Sequence, residues 1–159
     1  MAEIHAYGYR DISTGDAAVD GLAGGVGAGV LMAVYLEAVG LIMGEGLGRM
    51  LGRFNQQEGD PLWIAFLLHL AVAGVYGIMF GILYRAAVNL RKDLLAPLPS
   101  AVLGLVYGML LLLLARGVLL PGADSALMEI PLLHFGAAHL LFGVSAGLLA
   151  YQFRLKGAE

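Results

Sequence analysis

Cysteine is missing from all 159 positions. Its absence excludes disulfides, thiolate metal sites, iron–sulfur ligation, c-type haem attachment, palmitoylation and prenylation. Charge is scarce too: Asp, Glu, Lys and Arg make up 13% of the chain and the net charge is −3, too little and too scattered to attract a nucleic acid or another polyanion. There is also no nucleophile paired with a base, no phosphate-cradling loop and no lipid-transferase signature, so the chain reads as non-catalytic. What remains is apolar. Hydrophobic residues are 60% of the sequence and glycine contributes 24 positions, a usage outside that of soluble domains.

The apolar residues gather in four runs, 21–44, 62–84, 98–120 and 131–153. A hydrocarbon core of about 30 Å takes roughly 20 helical residues to cross, and each run is long enough. The expectation is an all-α, four-span membrane bundle forming a single domain over residues 1–159, with the first span retained because its apolar run is too long for a signal-peptide core. Arg10, Arg85, Arg91, Lys92, Arg154 and Lys156 fall on one side of such a bundle, and Arg49, Arg53 and Arg116 on the other. Cytoplasmic loops accumulate basic residues, so both termini are expected inside, with residues 45–60 and 121–129 outside.

Proline and aromatic residues punctuate the spans: Pro61, Pro97, Pro99 and Pro131 near span starts, Pro121 at an end, and Trp63, Tyr84, Tyr151 and Phe153 at headgroup depth. Glycines recur every four residues, at 21, 25 and 29, at 77 and 81, at 104 and 108, and at 143 and 147. In lipid, small residues let helix backbones approach closely. A further ladder, Gly40, Gly44, Gly48 and Gly52, runs past the first span and reads either as internal packing or as an interface with a partner subunit or a second copy. The halves also read as a tandem two-helix repeat: a shift of 70 places His69 on His139 and Gly77 on Gly147, and a shift of 79 places Gly25 on Gly104 and Gly29 on Gly108.

The stretches HLAVAGVYGIMFGILY, GLVYG and PLLHFGAAHLLFGVSAGLLAY resemble those of short four-span bacterial membrane proteins grouped in families of unassigned function. The resemblance covers roughly residues 20–153 and implies the fold and a bacterial inner-membrane setting, with no activity or site to carry over.

Ionisable residues inside the runs are few. Glu37, His69 and His139 lie seven or eight residues from the outer span ends, about 10–12 Å deep, and Arg116 about 6 Å deep. Intramembrane charge is costly, so a polar layer of Glu37, His69, Arg116 and His139 is the candidate site, with a Glu37–Arg116 pair at its centre. It suits proton transfer, a lipid headgroup or a quinone carbonyl; His69 and His139 alone suit the axial positions of a haem b, and the two histidines with Glu37 suit a metal. Weaker features are Asp16 with Asp20 as a cation site or as helix-opening acids, an interfacial helix over 45–54, and a tail with His5, Tyr7 and Tyr9 that reads as a cap. Two functions are expected in competition: an accessory or assembly subunit of a larger membrane complex, of respiratory or photosynthetic type, and a small oligomeric proton-coupled carrier built on the polar layer.

Overall fold

The computed structural model describes residues 12–55, 61–123 and 125–156. His5, Tyr7, Tyr9 and Arg10 of the tail, and the last part of the 45–60 segment, lie outside the described residues. Helix α1 (Thr14–Ile42) opens seven residues before the first apolar run, because Ser13 and Asp16 form a capping box: the Ser13 hydroxyl accepts from the Asp16 amide and the Asp16 carboxylate from the Ser13 amide, both at 3.1 Å. The helix stops where Gly44 and Gly48 take φ of 82° and 84°, a left-handed conformation that glycine adopts without steric cost. A short α2 (Arg49–Gly52) follows. The expected interfacial helix over 45–54 is therefore cut to one turn, and Met50 and Leu51 point inward, Met50 against Gly40.

Helix α3 (Leu62–Leu90) starts after Pro61, and α4 (Pro97–Leu114) carries proline in its first turn. Beyond α4 the rod widens into a π turn, Ala115–Leu119, before a final turn, α5 (Leu120–Gly122). Pro121 is the physical reason: it has no amide to offer the Gly117 carbonyl four residues back, and its ring crowds that carbonyl, so the turn before it opens. A 3₁₀ turn (Ala126–Glu129) leads to α6 (Leu132–Lys156). No strand occurs among the described residues.

Four rods, Thr14–Ile42, Leu62–Leu90, Pro97–Gly122 and Leu132–Leu155, are long and apolar enough to cross a membrane. Large apolar side chains at mid-rod, such as Val34, Val75, Leu110 and Leu113, are 57–63% exposed. Water-facing helices carry charge there; these carry hydrocarbon.

The rods assemble as two antiparallel pairs. Gly21 and Gly25 of α1 lie so close to Ala73, Gly77 and Gly81 of α3 that a methyl on any of these glycines would overlap the opposing backbone, and the same holds between Gly104 and Gly108 of α4 and His139, Gly143 and Gly147 of α6. The register is shared. Gly25 meets Ala73 and Gly77; displaced by 79 residues on one helix and 70 on the other, Gly104 meets Gly143 and Gly147. Ser100 stands where the first pair has Gly21, and its backbone receives Gly147 as Gly21 receives Gly77. These contacts use the regular glycine ladders within the chain.

Between the pairs the two seams differ. The α1–α6 seam is closed, with Gly24 and Gly27 of α1 facing Leu149 and Gly24 also facing Phe153. The α3–α4 seam is bridged near its middle by the Tyr107 hydroxyl donating to the Tyr76 carbonyl at 2.8 Å. Toward the chain termini the Tyr84 and Ser100 hydroxyls hydrogen-bond at 2.7 Å, and Ser100 donates to the Leu94 carbonyl at 3.2 Å. Toward the opposite, distal end the seam opens.

Candidate functional site

The opening is a cavity of about 260 Å³. Its walls come from all four rods and both distal connections: Met32 of α1, His69, Val72 and Tyr76 of α3, Leu111 and Ala115 of the α4 rod, Phe135, His139 and Phe142 of α6, with Phe54 and Leu127 closing the distal end. Val72 and Leu119 line it yet remain 48% and 46% exposed, so the mouth lies between α3 and the π turn, on a face that is otherwise hydrocarbon.

Within these apolar walls His69 and His139 contribute polar ring atoms. They are 3% and 9% exposed, and both line the cavity. The Nε2 of His69 lies 2.9 Å from the Gly29 carbonyl, and the Nδ1 of His139 lies 2.8 Å from the Phe135 carbonyl. A carbonyl only accepts, so these two nitrogens carry the protons. In the neutral rings the other nitrogens, Nδ1 of His69 and Nε2 of His139, keep bare lone pairs and have no hydrogen-bond partner among the described residues. Each ring is also held by a phenyl group, His69 edge-on to Phe54 with centroids 4.8 Å apart and His139 tilted on Phe135 at 4.4 Å.

Glu37 does not join them, and Arg116 reaches His139 only across the Phe135 ring. The Glu37 carboxylate accepts from the amides of Gly48 at 2.7 Å and Leu51 at 2.8 Å, pinning the first distal connection. The Arg116 guanidinium donates to the Met128 carbonyl at 2.9 Å and to the Ile130 carbonyl, pinning the second, and lies 4.6 Å over the Phe135 ring. The expected Glu37–Arg116 ion pair is thus replaced by two separate backbone clamps. Their positions differ by 79, the displacement that relates α1 to α4: one register position holds an acceptor for amides in the first half and a donor to carbonyls in the second. Above the cavity, Arg53 binds Glu45 at 3.0 Å and approaches Glu129 at 3.6 Å, tying the two connections together.

The metal reading fails on geometry, since Glu37 is committed to α2 and no three His, Asp or Glu side chains are grouped for an ion among the described residues. Haem b does not fit either. A volume of 260 Å³ falls below the roughly 300–1,000 Å³ typical of pockets for drug-sized ligands, so the space holds one ring and not a porphyrin. The ladder Gly40, Gly44, Gly48, Gly52 is not one helical face: Gly40 packs on Met50, Gly44 and Gly48 form turns, and Gly52 faces open space.

Sequence reasoning missed Phe54, Tyr76, Tyr107, Phe142 and the π turn. Phe135 was within reach, since it precedes His139 by four residues and so shares its helix face. The shared displacement of Glu37 and Arg116 was also readable in the numbering.

Compared with known proteins, the chain matches no family model, no curated protein and no solved structure. The resemblance to four-span families of unassigned function gains no support from these comparisons, and the reading of the site rests on its chemistry.

Proposed function

We propose that this chain is a non-catalytic integral membrane protein that takes a lipophilic molecule from the bilayer into the cavity between its two helix pairs. The observation that carries the reading is a closed α1–α6 seam opposite an α3–α4 seam that opens, beside the exposed Val72 and Leu119, onto a hydrocarbon face. In the bilayer the lipid-facing rods span, and the shared register of the two pairs supports a tandem repeat of parallel topology. The excess of Arg85, Arg91, Lys92 and Arg154 over Arg49, Arg53 and Arg116 supports cytoplasmic termini, in the bacterial inner membrane that the sequence resemblance implies.

The competing roles draw less support from the same structure. The ladder Gly40, Gly44, Gly48, Gly52 that suggested a partner in a larger electron-transfer complex is broken by the left-handed turns at Gly44 and Gly48, and the regular ladders are used between this chain's own helices. The proton-carrier reading needs Glu37 beside the histidines, and Glu37 is occupied on α2.

Photolabelling in nanodiscs with a diazirine-bearing farnesol tests the binding role. Label is expected on Leu111 and Phe142, which are buried and line the cavity, and that label is expected to vanish in Ala115→Phe, which fills the space. Labelling confined to lipid-facing positions such as Val75 and Leu110 would refute the proposal.

A further inference from the structure

The two histidines of the cavity are one-sided in their polar chemistry, and this deepens the binding role just proposed, on which it rests. Two of the polar rings that line the cavity, His69 and His139, have already spent their N–H groups on the carbonyls of Gly29 and Phe135, while the third, Tyr76, carries a hydroxyl that can accept as well as donate. The Tyr107 hydroxyl nearby is likewise spent on the Tyr76 carbonyl. Each neutral imidazole therefore presents an acceptor and no donor. The rings reach these states by opposite tautomers, His69 protonated on Nε2 and His139 on Nδ1, so neither neutral ring can become a donor by switching tautomer without breaking a bond to backbone.

Ligand chemistry follows from that. A ligand bearing only carbonyl oxygens, such as a quinone, would set lone pairs against lone pairs in a dry apolar site, and a buried acceptor without a donor is costly. A ligand bearing hydroxyl hydrogens supplies what both nitrogens lack. The volume admits a single substituted ring, the phenyl groups of Phe54 and Phe135 beside the histidines and the Phe142 side chain offer aromatic surface to it, and an alkyl or isoprenoid tail would leave through the mouth at Val72 and Leu119. We infer that the cavity is a site for the hydroxylated ring of a lipophilic hydroquinone or phenol, and that it selects the reduced, hydrogen-donating form over the quinone.

Two substitutions separate the structural half of each histidine from the proposed recognition half. His69→Gln places an amide N–H where Nε2 was, keeping a donor for Gly29 while removing the bare Nδ1. His139→Asn does the same for Nδ1 and Phe135, removing the bare Nε2. Binding is measured calorimetrically in nanodiscs with decylubiquinol, decylubiquinone and the dimethyl ether of decylubiquinol, whose ring is equally substituted but has no hydroxyl hydrogen. Decylubiquinol is expected to bind about tenfold more tightly than either of the others, the equivalent of ~1.4 kcal/mol, and the His69→Gln, His139→Asn double variant to bind all three within about twofold while unfolding at the temperature of the wild type. Equal affinity of the wild type for the three probes, or a preference that survives in the double variant, would overturn the inference. Farnesol label on Leu111 and Phe142 would then leave the binding role standing; its absence would remove both.

Discussion

A methyl group at Gly104 would overlap the Gly143 carbonyl oxygen, and one at Gly77 would overlap that of Gly21. In both cases the obstacle is backbone of the opposing helix, which cannot turn aside as a side chain can. Gly77→Ala and Gly104→Ala are therefore each expected to destabilise the bundle by about 1–3 kcal/mol, the usual range for overpacking. Gly117→Ala, where nothing lies within 4 Å, is expected to stay within about 0.5 kcal/mol. Reversible unfolding in detergent measures all three, and equal stability across the set would mean that the helix pairs are not held as described. The histidines belong to this scale too. Their role depends on which nitrogen each one spends on backbone, and no spacing in the sequence contains that information.

The distal connections show how an element is held without its own core. Helix α2 is one turn long, too short to persist alone, and the Glu37 carboxylate on the amides of Gly48 and Leu51 fixes it, with Phe54 set against His69 just beyond. Glu37→Ala is expected to speed hydrogen exchange at those two amides by at least tenfold while leaving the α1 amides near Gly25 unchanged; unchanged exchange at Gly48 and Leu51 would show that the carboxylate does not hold the turn. The four long apolar helices were legible in the sequence, because a length and hydropathy sufficient to cross a membrane mark them out. Their ends were not. Asp16 and Asp20 made the start of α1 look polar, whereas the capping box at Ser13 begins the helix before them. The distal glycines looked like a ladder because spacing alone does not distinguish a helix face from two left-handed turns.

Across the whole molecule, two helix pairs of shared register meet along one closed seam and part only at the distal end of the other. The repeat was readable as shifts of 70 and 79, but the inequality of the seams was not: it arises from side chains of four rods and two connections that come together only in the fold. The same limit explains why the polar layer divided. Depth along a rod follows from residue count, while direction around it depends on the neighbours, so Glu37 and Arg116 share a depth range with the histidines, yet Glu37 turns to α2 and Arg116 to the second distal connection, over Phe135.

With four histidines in the chain, ¹⁵N NMR of histidine-labelled protein in bilayers can resolve the rings individually, and His69→Gln and His139→Asn assign the two that matter. The expected spectrum has both rings neutral and of opposite tautomer, with the unprotonated nitrogens of His69 and His139 moving toward hydrogen-bonded positions on addition of decylubiquinol and staying in place with decylubiquinone. Doubly protonated rings, a common tautomer, or bare nitrogens indifferent to the quinol would contradict the acceptor-lined cavity at the centre of this account.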